Sequence, residues 1–302
     1  MTEPATRSGF VSLVGRPNSG KSTLLNRLVG EKVSIVTNKP QTTRNVIRGI
    51  VTRPEGQVVF LDTPGIHKPI HRMNNLMMKA VREAMKEVDV VALMIDSSES
   101  FGRGDQFVLD LVNAISIPKI LILNKVDKVR KPDLLPMIER YSNQAKFDEI
   151  IPMSALRDDS VEPLITVLLR FMPEGPLYYP EDQLSDRHER SIASEIIREK
   201  LIDLTEDELP YATAVTVDRF EEGEKLHRIF ATIHVERETQ KGIVIGKKGH
   251  LLKEVGIAAR KDLEKFLGRH IYLELRVKVT SGWRDDEKAL KNFGVGEGAG
   301  ET

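Results

Sequence analysis

The chain has 302 residues, of which 40% are hydrophobic and 30% charged. That composition is typical of soluble globular proteins and excludes disordered and fibrous classes. The length suits two domains of ordinary size. The absence of cysteine excludes a disulfide scaffold, a thiolate zinc site and a cysteine nucleophile.

The 45 basic and 45 acidic residues cancel overall but are unevenly distributed. Residues 225–284 carry 14 Lys and Arg against 6 Asp and Glu, and the rest of the chain carries 31 against 39. The C-terminal part is therefore predicted to meet an anion. No apolar run approaches the roughly 18 residues that span a bilayer, and no signal peptide is evident. We expect a cytoplasmic protein.

Strand and helix patterns alternate from residue 9 to residue 172. Predicted strands cover 9–14, 46–52, 57–61, 90–95, 119–123 and 149–153, and predicted helices cover 21–29, 73–88, 105–114, 134–143 and 161–171. The alternation predicts an α/β domain whose mostly parallel sheet carries helices on both faces. In such sheets ligands bind at the carboxyl ends of the strands.

A proline-rich linker, residues 173–186, is predicted to lead into a small α+β domain, 187–284. Its predicted order is a helix (187–204), strands (211–220 and 226–236), helical segments around Gly246 and over 253–266, and a strand (271–279). We expect residues 1–8 to be disordered and the glycine-containing tail, 285–302, to be flexible.

A phosphate loop follows the first strand and opens the first helix. The segment matches GxxxxGK[ST] in the required strand–helix context, so that its backbone N–H groups would bind phosphate oxygens. We expect Lys21 to bridge the β- and γ-phosphates and the Ser22 hydroxyl to ligate Mg²⁺. The predicted nucleotide-binding residues here are Gly15, Arg16, Pro17, Asn18, Ser19, Gly20, Lys21, Ser22 and Thr23.

Two further motifs come at predicted strand ends. In the first, Asp62, Thr63, Pro64 and Gly65, the aspartate is expected to lie in the second coordination shell of Mg²⁺, and the Gly65 N–H to meet the γ-phosphate. The second is built around Asn124, Lys125 and Asp127, with Ser154 and Ala155 after the next strand. An ionised Asp127 accepts both the N1–H and the 2-amino group of guanine, which adenine does not offer. The order and spacing predict a GTPase.

Residues 40–44 lie where a GTPase needs a nucleotide-sensitive switch loop. We assign Gln41, Thr42, Thr43 and Arg44 to switch I. One threonine should reach Mg²⁺ when the γ-phosphate is present. We prefer Thr43 to Thr42, although the sequence leaves this choice open.

Ile66 occupies the position at which Ras-type GTPases place a glutamine that orients the attacking water. No side-chain base is identified, so we expect slow intrinsic hydrolysis. A partner, a backbone group or a cation would take over the role of the missing glutamine, and Asn18 is a candidate to help hold K⁺.

The basic domain contains a GxxG loop between two helical segments, which is typical of a type II KH module. Such loops let a single-stranded nucleic-acid backbone approach closely. Phe266, Tyr272 and Trp283 are interpreted as partly core, and the composition does not separate RNA from DNA. The predicted RNA-binding residues are Gly246, Lys247, Lys248, Gly249, Lys253 and Arg260.

The whole pattern resembles the Era family of bacterial GTPases, a G domain joined to a type II KH domain. The resemblance rests on GRPNSGKST (15–23), QTTR (41–44), DTPG (62–65), NKVD (124–127), SAL (154–156), SEIIREKL (194–201), VIGKKG (244–249) and VKVTSGW (277–283). It implies GTP/GDP and Mg²⁺ as cofactors, and a factor that assists assembly of the small (30S) ribosomal subunit by binding the 3′ end of 16S rRNA. It also implies peripheral contact with the inner face of the cell membrane.

Two other functions remain open from the sequence, and we expect a monomer. A nucleotide-indifferent RNA-binding scaffold predicts RNA affinity that does not depend on the bound nucleotide. A membrane-surface GTPase switch that uses the basic helix predicts vesicle binding that does not compete with RNA.

Overall fold

The computed structural model describes residues 6–40, 42–206 and 209–296, which form two domains with one sheet each. The strands of the larger sheet are β1 (Arg7–Val14), β2 (Ile47–Arg53), β3 (Gly56–Asp62), β4 (Val90–Asp96), β5 (Lys119–Asn124) and β6 (Glu149–Pro152). Their order is β2-β3-β1-β4-β5-β6, and only β2 is antiparallel to its neighbour. The predicted, mostly parallel sheet is confirmed.

Helices cover both faces of this sheet because side chains alternate along each strand. The helices are α1 (Lys21–Val29), α2 (Arg72–Ala84), α3 (Arg103–Asn113), α4 (Lys131–Ser142) and α5 (Val161–Phe171). Leu13 of β1 packs with Leu24 of α1 and Leu168 of α5, whereas the next residue, Val14, packs with Val81 of α2 on the opposite face. The parallel strands bring the loops after β1, β3 and β5 to one edge.

The second domain has a three-stranded sheet with helices on one face. Its elements are α6 (Glu189–Leu204), α7 (Leu209–Ala212), β7 (Ala214–Glu221), β8 (Leu226–Val235), α8 (Glu238–Ile245), α9 (His250–Leu267), β9 (His270–Val279) and α10 (Glu287–Asn292). Central β8 is antiparallel to β7 and parallel to β9. The strand predicted over 211–220 begins later, because Leu209–Ala212 form a helical turn. Among the described helices, none combines the length and apolarity needed to cross a membrane.

The segments flanking the first domain are more ordered than the sequence indicated. Arg7 and Ser8, expected to be disordered, belong to β1 and pair with β3, so a polar sequence forms the start of the strand. The linker lies along the sheet edge: the Ile50 N–H donates to the Leu184 carbonyl oxygen at 2.9 Å, and Gln57 Oε1 accepts from the Tyr178 N–H at 3.0 Å. The linker is therefore docked on the first domain.

The tail expected to be flexible from residue 285 instead folds back through residue 296. Leu290 and Val295 are buried with Trp283 and with Met73 of α2, and the Phe293 ring lies edge-on to Trp283 at 5.4 Å. These apolar residues, spaced among the glycines, provide enough burial to order the segment. Residues 1–5 and 297–302 lie outside the described residues.

Candidate nucleotide site and nucleic-acid interface

The phosphate loop between β1 and α1 wraps around the Lys21 ammonium group. Lys21 Nζ is buried and donates to the carbonyl oxygens of Arg16 at 2.9 Å and of Gly15 at 3.2 Å. Gly20 has φ +100°, and a Cβ there would lie 2.3 Å from Asn124 Nδ2. Glycine is therefore required at this position both by backbone conformation and by space.

Burial sets the protonation of the two charged groups at the base of this loop. It lowers the pKa of Lys21 to about 8, and the nearby Asp62 carboxylate partly opposes the shift. Burial also raises the pKa of Asp62, opposed by Lys21 and by hydrogen bonds from Ser22 and Ser34. The ammonium group is desolvated where an anionic phosphate would restore its lost solvation.

Three oxygen-bearing side chains converge beside this lysine and suit a hard divalent cation. Ser22 Oγ donates to Asp62 Oδ2 at 2.6 Å and lies 2.9 Å from Thr43 Oγ1. The other carboxylate oxygen, Asp62 Oδ1, is buried without a hydrogen-bond partner among the described residues. An orphaned carboxylate oxygen beside two hydroxyl groups fits Mg²⁺. Thr42 Oγ1 instead lies 2.7 Å from Thr37 Oγ1.

Asn124 and Lys125 brace the loops around the base position. Asn124 Nδ2 donates to the Ser19 carbonyl oxygen, and its Oδ1 accepts from the Ala155 N–H, each at 2.8 Å. Lys125 Nζ donates to the Asn18 carbonyl oxygen at 2.9 Å. Asp127 is exposed and lines the cavity, where its carboxylate is available to a ligand.

These residues surround a cavity of 410 Å³ that contains most of the predicted nucleotide-binding positions. Ser19, Asp62 and Thr63 are buried beneath it, and Arg16 extends away to Asp105 at 3.0 Å. The predicted residues that line the cavity are Pro17, Asn18, Gly20, Lys21, Ser22, Thr23, Thr42, Thr43, Gly65, Asn124, Lys125, Asp127, Ser154 and Ala155. Sequence reasoning missed the lining residues Ile35, Val36, Thr37, Asn38, Glu99, Lys128 and Leu156. Of these, only Leu156 belongs to a quoted motif, the SAL segment 154–156, where no contact with the nucleotide was predicted for it.

Residues 66–71, which directly follow Gly65, contain no carboxylate or amide side chain that could orient water for hydrolysis. Ile66 is 2% exposed and packs into the core beside Val14 and Leu61, while its N–H donates to the Gly15 carbonyl oxygen at 2.9 Å. His67 is partly buried, with Nδ1 2.8 Å from the Gly65 carbonyl oxygen.

The GxxG loop presents its two lysines to solvent between α8 and α9. Gly246, Lys248 and Gly249 all have positive φ, of 73°, 54° and 78°. Lys247 and Lys248 are exposed, as are Lys253 and Arg260 along α9.

Apolar side chains flank these cations. Ile243 and Ile257 are each 53% exposed, and their place beside the loop was not predicted. Tyr272, interpreted from the sequence as partly core, is 47% exposed, whereas Trp283 is fully buried. Cations beside exposed apolar side chains suit a ligand with both a phosphate backbone and bases.

Switch I joins the two domains, which the sequence did not reveal. Arg44 is 5% exposed, and its guanidinium donates to the carbonyl oxygen of Thr213 at 2.7 Å and lies over the Trp283 ring at 5.4 Å. The Arg198 guanidinium of α6 donates to the Thr42 carbonyl oxygen. Thr42 and Arg44 are thus held by the second domain while Thr43 meets the cation site. Gln41 lies outside the described residues.

Comparison with known proteins matches each domain to a family and the whole chain to solved structures. Residues 10–125 match the family described as 50S ribosome-binding GTPase, and residues 208–284 match the KH domain family. A structure of Era with MgGDPNP and nucleotides 1506–1542 of 16S ribosomal RNA is 38% identical, with a TM-score of 0.92 over 96% of this chain and 99% of that one. A variant of Aquifex aeolicus Era bound to GDP·AlF4⁻ is also 38% identical, with a TM-score of 0.91 and the same coverage.

The fold and the site together define a P-loop GTPase with a C-terminal type II KH domain. At this identity and coverage, the chain belongs to the Era family of GTPases. The family and the fold predicted from the sequence are confirmed.

Proposed function

We propose that the protein is a GTP/GDP switch that binds the single-stranded 3′ end of 16S rRNA and assists assembly of the 30S subunit. The observation that carries the proposal is the path of switch I, in which Thr43 lies at the cation site while its two neighbours are bonded to the KH domain. The likeness to an Era structure that holds 16S rRNA supports the choice of RNA.

The nucleotide would lie in the 410 Å³ cavity, with its phosphates on the loop around Lys21 and its base at Asp127. Ser22 and Thr43 would hold Mg²⁺, and the Asp62 carboxylate would orient water bound to it. The ion supplies positive charge that neutralises the phosphate oxygens during transfer. Thr43 would then sense the γ-phosphate, as the shared ion orders switch I.

Hydrolysis in this chain proceeds without a glutamine to orient water, because Ile66 is packed into the core. We therefore expect a slow intrinsic rate that rises when a partner or a cation completes the site. K⁺ is one such cation, with Asn18 as its candidate ligand. Equal turnover in potassium and sodium buffers of the same ionic strength would exclude this role.

RNA would be held by the GxxG loop, where the exposed Lys247 and Lys248 meet backbone phosphates, and by the basic face of α9. Ile243 and Ile257 would contact bases between those cations. Because switch I is bonded to the KH domain, ordering by GTP changes the free energy of RNA binding, and RNA changes that of GTP binding by the same amount.

The decisive experiment measures affinity for a single-stranded oligonucleotide of the 16S rRNA 3′ end, with Mg·GDP and with a non-hydrolysable GTP analogue. Salt is held constant because phosphate contacts make the affinity salt-dependent. We expect different affinities in the two states, and strong loss of both in Lys247→Asp with Lys248→Asp. The control variant, Lys86→Asp with Lys146→Asp, reverses two exposed lysines of the G domain and should bind normally.

Equal affinity in both nucleotide states would replace the switch by a nucleotide-indifferent scaffold. No RNA binding in either state, with binding to anionic vesicles, would favour the membrane-surface switch. A cytoplasmic location is part of this proposal, because ribosomal subunits assemble there, and the peripheral membrane contact and the monomeric state stay predictions.

A further inference from the structure

Three arginines from different segments meet in a cavity at the junction of the domains. Arg44 comes from switch I, Arg187 from the two residues between the linker and α6, and Arg198 from α6, and all three line a cavity of 80 Å³. Arg44 and Arg198 are 5% and 2% exposed. Ser191 and Ser194 of α6 contribute hydroxyl groups to the same wall.

The positive charge of this cluster is only partly compensated. Glu195 is the one carboxylate among the lining residues, and it pairs with a single arginine of the three at 2.7 Å. Two nearby arginines have carboxylates of their own, since Arg48 pairs with Asp186 and Arg284 with Glu236. The residues that line the cavity therefore carry a net charge of about +2, and burying unpaired charge is strongly unfavourable.

Each of the three guanidinium groups also has a buried nitrogen without a hydrogen-bond partner among the described residues. These atoms are Arg44 Nε, Arg187 Nη1 and Arg198 Nη1. The remaining contacts hold the side chains in place, as when Arg187 Nη2 donates to Ser191 Oγ at 2.6 Å. Unmet donors on charged groups are costly, so three of them on residues that line one cavity indicate a missing acceptor.

We propose that this cavity binds a small doubly charged oxyanion of the phosphate type, held by Arg44, Arg187 and Arg198. Each arginine has one nitrogen without a partner in the described part of the chain, so the three together can donate to three oxygens of a tetrahedral oxyanion through charge-assisted hydrogen bonds. A dianion balances the charge of the cluster. The volume admits a single small ion, whereas a nucleotide needs a cavity more like the 410 Å³ one in the G domain.

Electrostatics within the cluster agree with an anion as the missing component. Burial lowers the pKa of Arg187; Glu195 and Asp186 oppose this shift, while the neighbouring Arg198 adds to it, so the two arginines repel one another. Arg198 and Arg187 hold the pKa of Glu195 below its usual value despite burial, so this carboxylate stays ionised and is already engaged. An ion bound there would join switch I, the linker and α6.

The test uses the full-length protein with saturating Mg²⁺ and a non-hydrolysable GTP analogue, so that the phosphate loop is already filled. Inorganic phosphate is titrated at constant ionic strength, and binding is followed by calorimetry and by the midpoint of thermal unfolding. We expect one saturable site per chain. Arg187→Gln should weaken phosphate binding by about tenfold or more, the usual effect of losing a charged hydrogen bond.

Two further variants separate the site from other cations. Arg269→Gln removes an exposed arginine of the KH domain and should leave phosphate binding unchanged. Ser194→Asp places a carboxylate in the cavity, so it should raise the unfolding midpoint in phosphate-free buffer and abolish the response to phosphate. Crystals grown with selenate should show anomalous selenium density within hydrogen-bond distance of Arg187 and Arg198.

A phosphate response that is identical in the wild type and in Arg187→Gln would overturn the proposal. So would selenate density found only at the GxxG loop or elsewhere on the surface. Because the oligonucleotide is absent, neither outcome depends on whether the chain binds 16S rRNA.

Discussion

At the scale of single residues, backbone strain coincides with the binding loops. The described non-glycine residues with positive φ are Asn18 at 62°, Lys125 at 63° and Lys248 at 54°. Such conformations disfavour side chains with a Cβ and persist where the surroundings enforce them. One lies in the phosphate loop, one beside the base position and one in the GxxG loop. The strained positions therefore mark both proposed sites.

Proton uptake should accompany nucleotide binding through Lys21. Its pKa is lowered to about 8, so the Lys21 amine is mostly protonated near neutral pH and mostly unprotonated above pH 8. Phosphates raise this pKa again, so we expect uptake on GDP binding to grow from about pH 7 to about pH 8.5. Calorimetry in buffers of different ionisation enthalpy, without Mg²⁺, measures it. Lys21→Arg is the control, since its guanidinium does not titrate there, and equal uptake in that variant would contradict the assignment.

The same lysine makes a signed prediction for stability. Without nucleotide, the folded state binds fewer protons than the unfolded state between pH 8 and the ordinary pKa of 10.5. The contribution of Lys21 to the free energy of unfolding should therefore rise with pH across this window. Denaturant titrations of the nucleotide-free protein and of Lys21→Met measure the difference. A contribution that falls with pH would show that Lys21 is not desolvated.

Asp127→Asn should change the base preference from guanine towards xanthine. The carboxylate accepts two hydrogen bonds from guanine, and losing bonds to a charged acceptor costs about 1.5–3 kcal/mol, or roughly tenfold or more in affinity. The amide can donate to the 2-carbonyl of xanthine. Competition binding with GTP and xanthosine triphosphate tests this, and unchanged preference for GTP would exclude Asp127 as the base-reading residue.

Motif residues were predictable from sequence because local backbone geometry defines their roles. The phosphate loop needs only a strand, a glycine-rich turn and a helix, all visible in residues 9–29. Arg44 was predicted to belong to switch I, but its position over the Trp283 ring and its bond to the Thr213 carbonyl oxygen depend on residues more than 160 positions away. No local pattern carries such long-range packing information.

At the scale of elements, the strand and helix order was predictable because the strands of the larger sheet are short apolar runs bounded by turn residues, and the helices between them have a period near 3.6 residues. The ordered structure at the two termini was not predictable in this way. Alternating glycines in the tail suggested flexibility and obscured Leu290, Phe293 and Val295, whose burial depends on a partner surface on α2 and Trp283. The linker was recognised by its prolines, but its docking along β2 depends on backbone hydrogen bonds that any sequence can make.

Helix α10 should contribute measurably to stability. Leu290 is fully buried, and Leu290→Ala removes side-chain contacts around Trp283, so we expect a loss of about 2–5 kcal/mol in the free energy of unfolding. Lys291→Ala, at the exposed neighbouring position, should change it by less than about 0.5 kcal/mol. Denaturant unfolding followed by the fluorescence of Trp283 compares the two. Similar small effects would mean that the folded-back tail does not stabilise the domain.

At the scale of the whole molecule, the charge asymmetry seen in the sequence separates two functions. The basic residues of the C-terminal domain are exposed along α9. The rest of the chain has more acidic than basic residues, and there the phosphates of the nucleotide would be bound by a few buried groups around Lys21. The domains are joined by hydrogen bonds of switch I and by apolar packing of Met73 against Trp283 and Leu290, rather than by the linker alone. The polar contacts of switch I can be remade in another arrangement, which suits a protein that changes state.

Arg44→Gln should uncouple the two domains while leaving each one able to bind its ligand. The variant removes the charge that binds the Thr213 carbonyl oxygen and the Trp283 ring. Coupling energies between sites are commonly 1–3 kcal/mol, or roughly 5–150-fold in affinity. We therefore expect the ratio of RNA affinities in the GTP-analogue and GDP states to fall towards one. Nucleotide affinity without RNA should change little, since Arg44 does not line the nucleotide cavity.

Arg53→Gln is the matched control, because it removes an arginine whose ion pair with Glu162 lies within the G domain. Its affinity ratio should equal that of the wild type. If Arg44→Gln kept the wild-type ratio of RNA affinities in the two nucleotide states, the coupling would run through the contact between Arg198 and the Thr42 carbonyl oxygen instead. A ratio lost in both variants would instead reflect general destabilisation, which the unfolding midpoints measured alongside would reveal. Coupling through Arg44 thus requires that the ratio of RNA affinities fall towards one in Arg44→Gln but not in Arg53→Gln, with the stability of both variants unchanged.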